Sequence, residues 1–443
     1  MNRLNILILI FLLFGCSNQK NDLSINLQHV KGYGPFLNGN VITFPSKDSI
    51  YYKGVPKDLD EYVIRSIIEQ PRQHFWNLYK AGKMTKERFE QFATYYKLDT
   101  TKLTTDLVDS EIIILIGTRH DKKRIVIIDS NNNEDFSDER ILEFEYPVSK
   151  EKEEEMEKST PVITADFEYY QGGKITAMNA NLQPSPYRGS LGLTYNTDNV
   201  VEKKYDLFIS FPEHRYGQVK INHSKYDIYV SNRFSGIQYS KQRAAIFVCK
   251  SGEKPSEIKG DLPLQIGDIF NTGKQDYSLD KISLWGDTLN LKYVGENTHP
   301  EGFIEGLRVP KFISQKLDHS EFSLKDYPDK FILLDFWGTW CNPCIKSIPD
   351  IKAIHQDFKD KNLVLVSVAF DTDAKKVAQF VNDQQMDWEH VFVNQKSEDK
   401  TNIVEKLRVT SFPTTILIAP DGLILARNKP LAELRKILNE KLK

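Results

Sequence analysis

In the last third of the chain, the spacing of apolar residues changes repeatedly between two periods. "FILLDFW" (331–337) and "LVLVSVA" (363–369) are continuous apolar runs, the pattern of parallel strands covered on both faces. Between them Ile345, Ile348, Ile351, Ile354 and Phe358 recur at helical spacing, so the segment reads as a βαβ unit. A helix near Ala374 to Gln384, a short segment "HVFV" and a helix near Asp399 to Leu407 are expected next. The strand "TTILIA", the turn "PDG" (420–422), the strand "LILA" and a closing helix with Leu431, Leu434, Leu438 and Leu442 inward complete it.

Upstream the pattern is different. Across residues 58–98, Leu59, Tyr62, Val63 and Ile67 recur at steps of three and four, as do the apolar positions of "KERFEQFATYY", and this spacing predicts helix. "EIIILIGT" (111–118) and "KRIVIID" (123–129) have the β-branched character of a hairpin. "SKEKEEEMEKS" (149–159) has no apolar face and reads as a solvated helix or linker. From Pro161 to about Arg308 nearly every segment is strand-like, including "SLGLTY", "YDLFISF", "KYDIYVS" and "AAIFVCK". Strands about every ten residues suggest a sandwich or barrel-like domain. Its Cys249 lies in an alternating strand and reads as a buried small hydrophobe. The expected organisation is a mixed α+β region at 27–150, a β-rich domain at 161–308 and an α/β domain at 311–443.

The first twenty residues, "MNRLNILILIFLLFGCSNQK", carry one early basic residue, Arg3, and a mainly apolar run from Leu4 to Phe14. Eleven helical residues span about 16 Å, short of the ~30 Å hydrocarbon core, so residues 1–16 read as a secretory leader. "LFGC" (13–16) resembles the bacterial lipobox, although Phe14 is bulkier than the small residue usual there. That resemblance implies diacylglyceryl modification of Cys16 and attachment to a membrane through a lipid anchor. An uncleaved apolar anchor with Cys16 incidental is the other reading, and both place the remaining chain outside the cytoplasm.

A length of 443 residues calls for two or three domains. With 40% hydrophobic and 27% charged residues and a net charge of -2, the chain has no electrostatic footprint for nucleic acid.

"FWGTWCNPC" (336–344) holds two of the four cysteines. As a zinc clip it lacks a second cysteine pair, and His355 and His390 would have to converge on it. A structural bridge is open in an oxidising compartment. A redox centre is the third reading. At the junction of a buried strand and a helix, Cys341 would present its sulfur to free N–H groups and the positive dipole end, which favour a thiolate. Pro343 fits the first helical turn. Asp335, alone in an apolar strand, should be protonated or hold a water if buried, and a surface-facing acid at a strand end is the other reading.

Here a family resemblance enters. "ILLDFWGTWCNPC" resembles the thioredoxin active-site strand and turn, and "SFPTTILIAPDG" (411–422) resembles the segment carrying that family's cis-proline. Residues 311–443 resemble the membrane-tethered TlpA-like or ResA-like thiol-disulfide oxidoreductases, whose helix-and-strand insertion matches "FDTDAKKVAQFVNDQQMDWEHVFV". The resemblance implies an α/β thioredoxin fold at the C-terminus, preceded by a mostly-β domain and the mixed α+β N-terminal region. It also implies thiol-disulfide exchange without a required cofactor, through a redox disulfide between Cys341, the attacking sulfur, and Cys344, the resolving one. Asp335 would sit behind Cys344 and help to deprotonate it. Pro413 would be cis and offer the Phe412 backbone to substrate, while Trp340 covers the cysteines and Trp337 packs on the helix. Many relatives carry glutamate where this chain has Ser347, which leaves proton handling to Asp335. The implied partners are disulfide-bearing envelope proteins and a membrane or periplasmic thiol donor. Reduction of envelope disulfides is the expected direction. An oxidase or isomerase, or a surface-binding protein with an accessory thioredoxin domain, are the alternatives.

A second pattern, "DSNNNEDFSDE" (129–139), places Asp129, Asn131, Asn133 and Asp135 at the alternation of a calcium loop. It departs from the EF-hand at Glu134 and Arg140, so closure by Asp138 or Glu139 would be needed. An Asx-rich turn is the competing reading.

Overall fold

The computed structural model describes residues 21–37, 40–45, 52–145, 150–186, 205, 207–232, 236–256, 262–296 and 298–442. The expected leader, Cys16 and the "SLGLTY" strand lie outside these residues. The chain forms two compact units, one of Asn26–Gln265 with Ile282–Asp287, the other of Ile266–Lys281 and Thr288–Lys443 with the residues up to Ile25.

In the larger unit, a five-stranded antiparallel sheet runs in the order Phe44–Pro45, Leu59–Ile68, Glu111–Arg119, Arg124–Ile128, Ile141–Phe144. The expected hairpin is present, with Ile114 opposite Ile128 and Thr118 opposite Arg124. Leu59–Ile68, predicted helical, is instead a ten-residue strand paired with Glu111–Arg119. The step of four from Val63 to Ile67 keeps one face in a strand as it does in a helix, whereas Tyr62, counted in the helical pattern, is exposed. The β-branched Val63, Ile64, Ile67 and Ile68 favour the pleated surface once a partner strand more than forty residues away is available. Helices follow at Pro71–Lys80 and Lys86–Tyr95, and the charged run forms a helix at Lys150–Ser159.

Two four-stranded sheets complete this unit, in the orders Asn40–Ile42, Phe208–Ser210, Lys174–Ser185, Ile163–Gln171 and Ala245–Lys250, Ser224–Ser231, Glu213–Ile221, Gln28–Lys31. Each contains one strand from the expected 27–150 region and three from the 161–308 region. The core is likewise shared, with Ile67, Ile112 and Ile114 clustered with Phe167, Leu182 and Ile209.

The smaller unit has a four-stranded sheet of Leu23–Asn26, Thr288–Glu296, Gln275–Ile282 and Ile269–Asn271. Its second sheet is the expected α/β domain. The elements are β1 (Ser314–Lys316), β2 (Glu321–Phe322), β3 (Phe331–Trp337), α1 (Asn342–Phe358), β4 (Leu363–Asp371), α2 (Ala374–Asp383), β5 (Glu389–Asn394), α3 (Ile403–Lys406), β6 (Thr414–Ile418), β7 (Ile424–Arg427) and α4 (Leu431–Lys441). The seven strands are ordered β2-β1-β5-β4-β3-β6-β7. β3, β4 and β5 are parallel, while β6 and β7 run antiparallel. A βαβ unit followed by ββα is the thioredoxin order, and the C-terminal domain has a thioredoxin-like fold.

Two apolar clusters lie along α1. Ile351, Ile354 and Phe358 pack with Leu333, Leu365, Leu417, Leu434 and Leu438. Nearer the N-terminus of the helix, Cys341, Cys344 and Ile348 pack with Trp337, Ala369, Val377 and Met386. At about 1.5–3 kcal/mol for each buried aliphatic or aromatic side chain, these clusters fix the helix against the sheet. The active-site turn is thereby anchored from below.

Candidate active site

The chain leaves β3 at Trp337 and enters α1 at Asn342, with Cys341 as the N-cap residue (φ -92°, ψ 93°). A cap residue keeps extended dihedrals, so its side chain points back over the free N–H groups of the first turn. Accordingly the Cys344 N–H donates to Cys341 Sγ at 3.2 Å. The two sulfurs are joined in a disulfide, with Cα atoms 5.3 Å apart. Both cysteines are buried. Pro343, in the first turn, has no N–H to leave unpaired there.

The turn before the cysteines is held by Asp371 at the end of β4. Its Oδ2 accepts from Thr339 N (2.9 Å) and Thr339 Oγ1 (2.7 Å), and its Oδ1 from Thr372 N (2.8 Å). Burial alone would raise the Asp371 pKa, but these hydrogen bonds outweigh it and hold the group below the usual carboxylate range. Gly338 is required by close approach, since a Cβ there would lie 2.5 Å from Trp340 Nε1 and 2.8 Å from the Phe370 carbonyl oxygen. The Trp340 indole lies across this glycine and donates to that same carbonyl at 2.9 Å. With 48% of its surface exposed, Trp340 is the open flank of the site.

Phe412 meets Trp340 edge-on at 5.4 Å and stacks on Phe370 at 5.4 Å. It also packs against the cluster holding both cysteines, and the Phe412–Pro413 peptide bond is cis. Trp337 is buried against Phe380 of α2.

Side chains alternate along β3, so Asp335 shares a face with Leu333 and Trp337. Leu333 packs on Ile351, Ile354 and Phe358, and Trp337 on Cys341, Cys344 and Ile348. Asp335 therefore lies on the face covered by α1, between its two apolar clusters. In register with it stand Ser367 on β4 and Thr415 on β6, and opposite Ser367 stands His390 on β5. One polar residue from each of four adjacent strands thus forms a row across the sheet. Ser367 Oγ bonds Asp335 Oδ2 at 3.1 Å, and the Trp388 Nε1–H bonds Ser367 Oγ at 2.9 Å. Burial pushes the Asp335 pKa up to about 6, and the Ser367 hydrogen bond opposes that rise.

Sequence reasoning did not identify Ser367, Trp388, Gly338 or Asp371. The signal for Ser367 was present, as it is the lone polar residue within "LVLVSVAF". Ser347 donates to the Cys344 carbonyl at 2.8 Å, so its hydroxyl is turned back on the helix. His390 Nε2 is bonded to the Met386 carbonyl (3.1 Å), and His355 Nε2 lies 3.8 Å from Asp387. Among the described residues no group of three or more His, Cys, Asp or Glu is arranged to hold a metal.

The 129–139 loop uses its polar side chains on itself. Asp129 Oδ1 accepts from Asn133 N (3.1 Å) and its Oδ2 from Glu134 N (2.8 Å). The amides of Asn131 and Asn133 both donate to Asp138 Oδ2 at 3.0 Å. Asp135 Oδ1 accepts from Ser137 N at 2.9 Å. Cys249 is half-buried and outside any disulfide, its thiol 3.8 Å from the Asp227 carbonyl oxygen.

The AhpC/TSA family matches residues 306–427. The thiol-disulfide oxidoreductase ResA of a Bacillus cereus strain is 30% identical over 122 residues, which are 28% of this chain and 68% of that protein. The thioredoxin-like protein YneN of Bacillus subtilis is 31% identical over 126 residues, 28% of this chain and 70% of that protein. The thioredoxin domain of a Bacteroides vulgatus thiol-disulfide oxidoreductase, 24% identical, aligns with 32% of this chain and 99% of its own at a TM-score of 0.29. Through its C-terminal thioredoxin-like domain, the chain belongs to the ResA-like family of thiol-disulfide oxidoreductases.

Proposed function

We propose that this protein reduces disulfides of other extracytoplasmic proteins through Cys341 and Cys344. The observation that carries the reading is the Cys341 sulfur at the N-cap of α1, accepting the Cys344 N–H and paired with Cys344. An N–H donor and the positive end of a helix favour negative charge on that sulfur in the reduced pair, which makes it the nucleophile.

In the reduced protein the Cys341 thiolate attacks one sulfur of a substrate disulfide, forming a mixed disulfide and expelling the other sulfur as thiolate. Cys344, its proton passed to Asp335, then attacks Cys341 and releases the second substrate thiolate. Two electrons have reached the substrate, which leaves as a dithiol after taking up two protons, and the Cys341–Cys344 disulfide remains. A thiol donor of the envelope returns the pair to the reduced state. Trp340, Phe412 and Phe370 supply an apolar flank for the substrate chain, and the Phe412 backbone beside the cis bond supplies polar groups for it. The short apolar leader and the "LFGC" sequence support attachment through Cys16 outside the cytoplasm. No helix among the described residues is long and apolar enough to cross a membrane.

The reading is tested by mixing pre-reduced protein with insulin and following release of insulin thiols. Cys341→Ser should abolish the reaction, and retention of wild-type rate by that variant would overturn the proposal. A Cys341/Cys344 potential near that of strong oxidants would refute the reducing direction.

A further inference from the structure

We propose that Ser367 and Trp388 are positioning residues of the redox site, forming a directed hydrogen-bond chain that commits Asp335 Oδ2 as an acceptor and leaves Oδ1 to take and return the proton. The inference rests on the reading above, in which Asp335 exchanges a proton with Cys344.

The direction follows from donor chemistry. An indole N–H can only donate, so Ser367 Oγ, 2.9 Å away, must accept from Trp388. A serine hydroxyl has one proton, and with that lone pair occupied its hydrogen turns to Asp335 Oδ2 at 3.1 Å. Oδ2 is thereby engaged as an acceptor whether or not the acid is ionised. A proton arriving at the carboxylate goes to Oδ1.

The chain stabilises the ionised acid where little else does. Facing Asp335 across the sheet are Ser367, Thr415 and, beyond Ser367, His390. The α1 face above carries Cys344, and the His355 ring lies 5.2 Å from the Trp388 ring. Burial holds the His390 pKa down to about 4, so that ring is neutral at working pH. Burial raises the Asp335 pKa and the Ser367 hydroxyl opposes that rise. Trp388 packs against both apolar clusters of α1, so the rigidity of the core sets the direction of the hydroxyl.

The test is the carboxyl carbon titration of Asp335 by NMR of full-length protein labelled with 13C-aspartate, its signal assigned by its loss in Asp335→Asn. Ser367→Ala should raise the midpoint by about one to two pH units, the weight of a hydrogen bond to a charged group. Trp388→Phe, which keeps an aromatic ring at the position but removes the N–H and so frees the hydroxyl rotor, should raise it by less. Ser367→Thr should restore the wild-type midpoint. An unchanged or lowered midpoint in Ser367→Ala, or no shift in Trp388→Phe, would overturn the chain. A pH profile of disulfide reduction separates the underlying reading. If Asp335→Asn keeps the wild-type profile, Asp335 does not serve Cys344, while the NMR midpoints still decide the chain.

Discussion

Replacing Asp335 by asparagine should make the folded protein less sensitive to rising pH. Burial moves the Asp335 pKa from 3.8 to about 6 in the folded state. Between those values the folded chain binds more protons than the unfolded one, so stability falls as pH rises through this window, and the loss is complete above about pH 6. A displacement of this size corresponds to about 3 kcal/mol. Asparagine cannot ionise and still accepts the Ser367 hydroxyl, but its buried NH2 group needs an acceptor, a cost of about 1–3 kcal/mol. That cost is the same at every pH and cancels when the variant is compared with wild type at two pH values. Urea unfolding of the oxidised full-length protein at pH 4 and pH 8, followed by tryptophan fluorescence, gives the comparison. Trp337, Trp340 and Trp388 all report on the unit that holds Asp335. The stability difference between Asp335→Asn and wild type should shift by about 2 kcal/mol in favour of the variant on going from pH 4 to pH 8, because at pH 4 the unfolded carboxyl is already more than half ionised. An equal difference at both pH values would refute the claim that burial disfavours the Asp335 carboxylate.

Two further substitutions probe the turn and the acidic loop. Gly338→Ala should cost about 1–3 kcal/mol of stability and slow substrate attack, because its Cβ displaces the Trp340 indole from the Phe370 carbonyl; an unchanged unfolding midpoint with unchanged tryptophan emission would contradict this. Asp129→Ala should cost about 1–3 kcal/mol with or without calcium, since it strands the N–H groups of Asn133 and Glu134. A calcium-dependent thermal shift in wild type that the variant lacks would assign the loop a cation.

The redox domain was legible in the sequence because its signals are local. Continuous apolar strands, the helix face from Ile348 to Phe358 and the strand-to-helix step at Cys341 need no information from elsewhere in the chain. Pro413 is expected to be cis from the family resemblance of "SFPTTILIAPDG" and its distance from the cysteines rather than from "FPT" alone, and the Phe412–Pro413 bond is cis. The Asp335 environment was only half legible. An acid inside "ILLDFW" announces a buried carboxylate, but its partner Ser367 lies 32 residues away and is matched to it only by strand register. Trp388 has no sequence signal separating it from an ordinary core aromatic. Leu59–Ile68 was misread because its neighbour Glu111–Arg119 supplies the pairing that decides strand over helix. The sharing of sheets between strands near residues 28–42 and strands beyond residue 160 is a matter of long-range pairing too, which periodicity does not carry.

The central claim is that Cys341 is the attacking sulfur and Cys344 the resolving one, and trapping tests it most directly. Cys344→Ala, reduced and mixed with a disulfide-bearing envelope extract, should accumulate covalent adducts through Cys341 that collapse on adding dithiothreitol. Cys341→Ala under the same conditions should accumulate none. Adducts formed through Cys344 in the Cys341→Ala variant, with none through Cys341, would contradict the account.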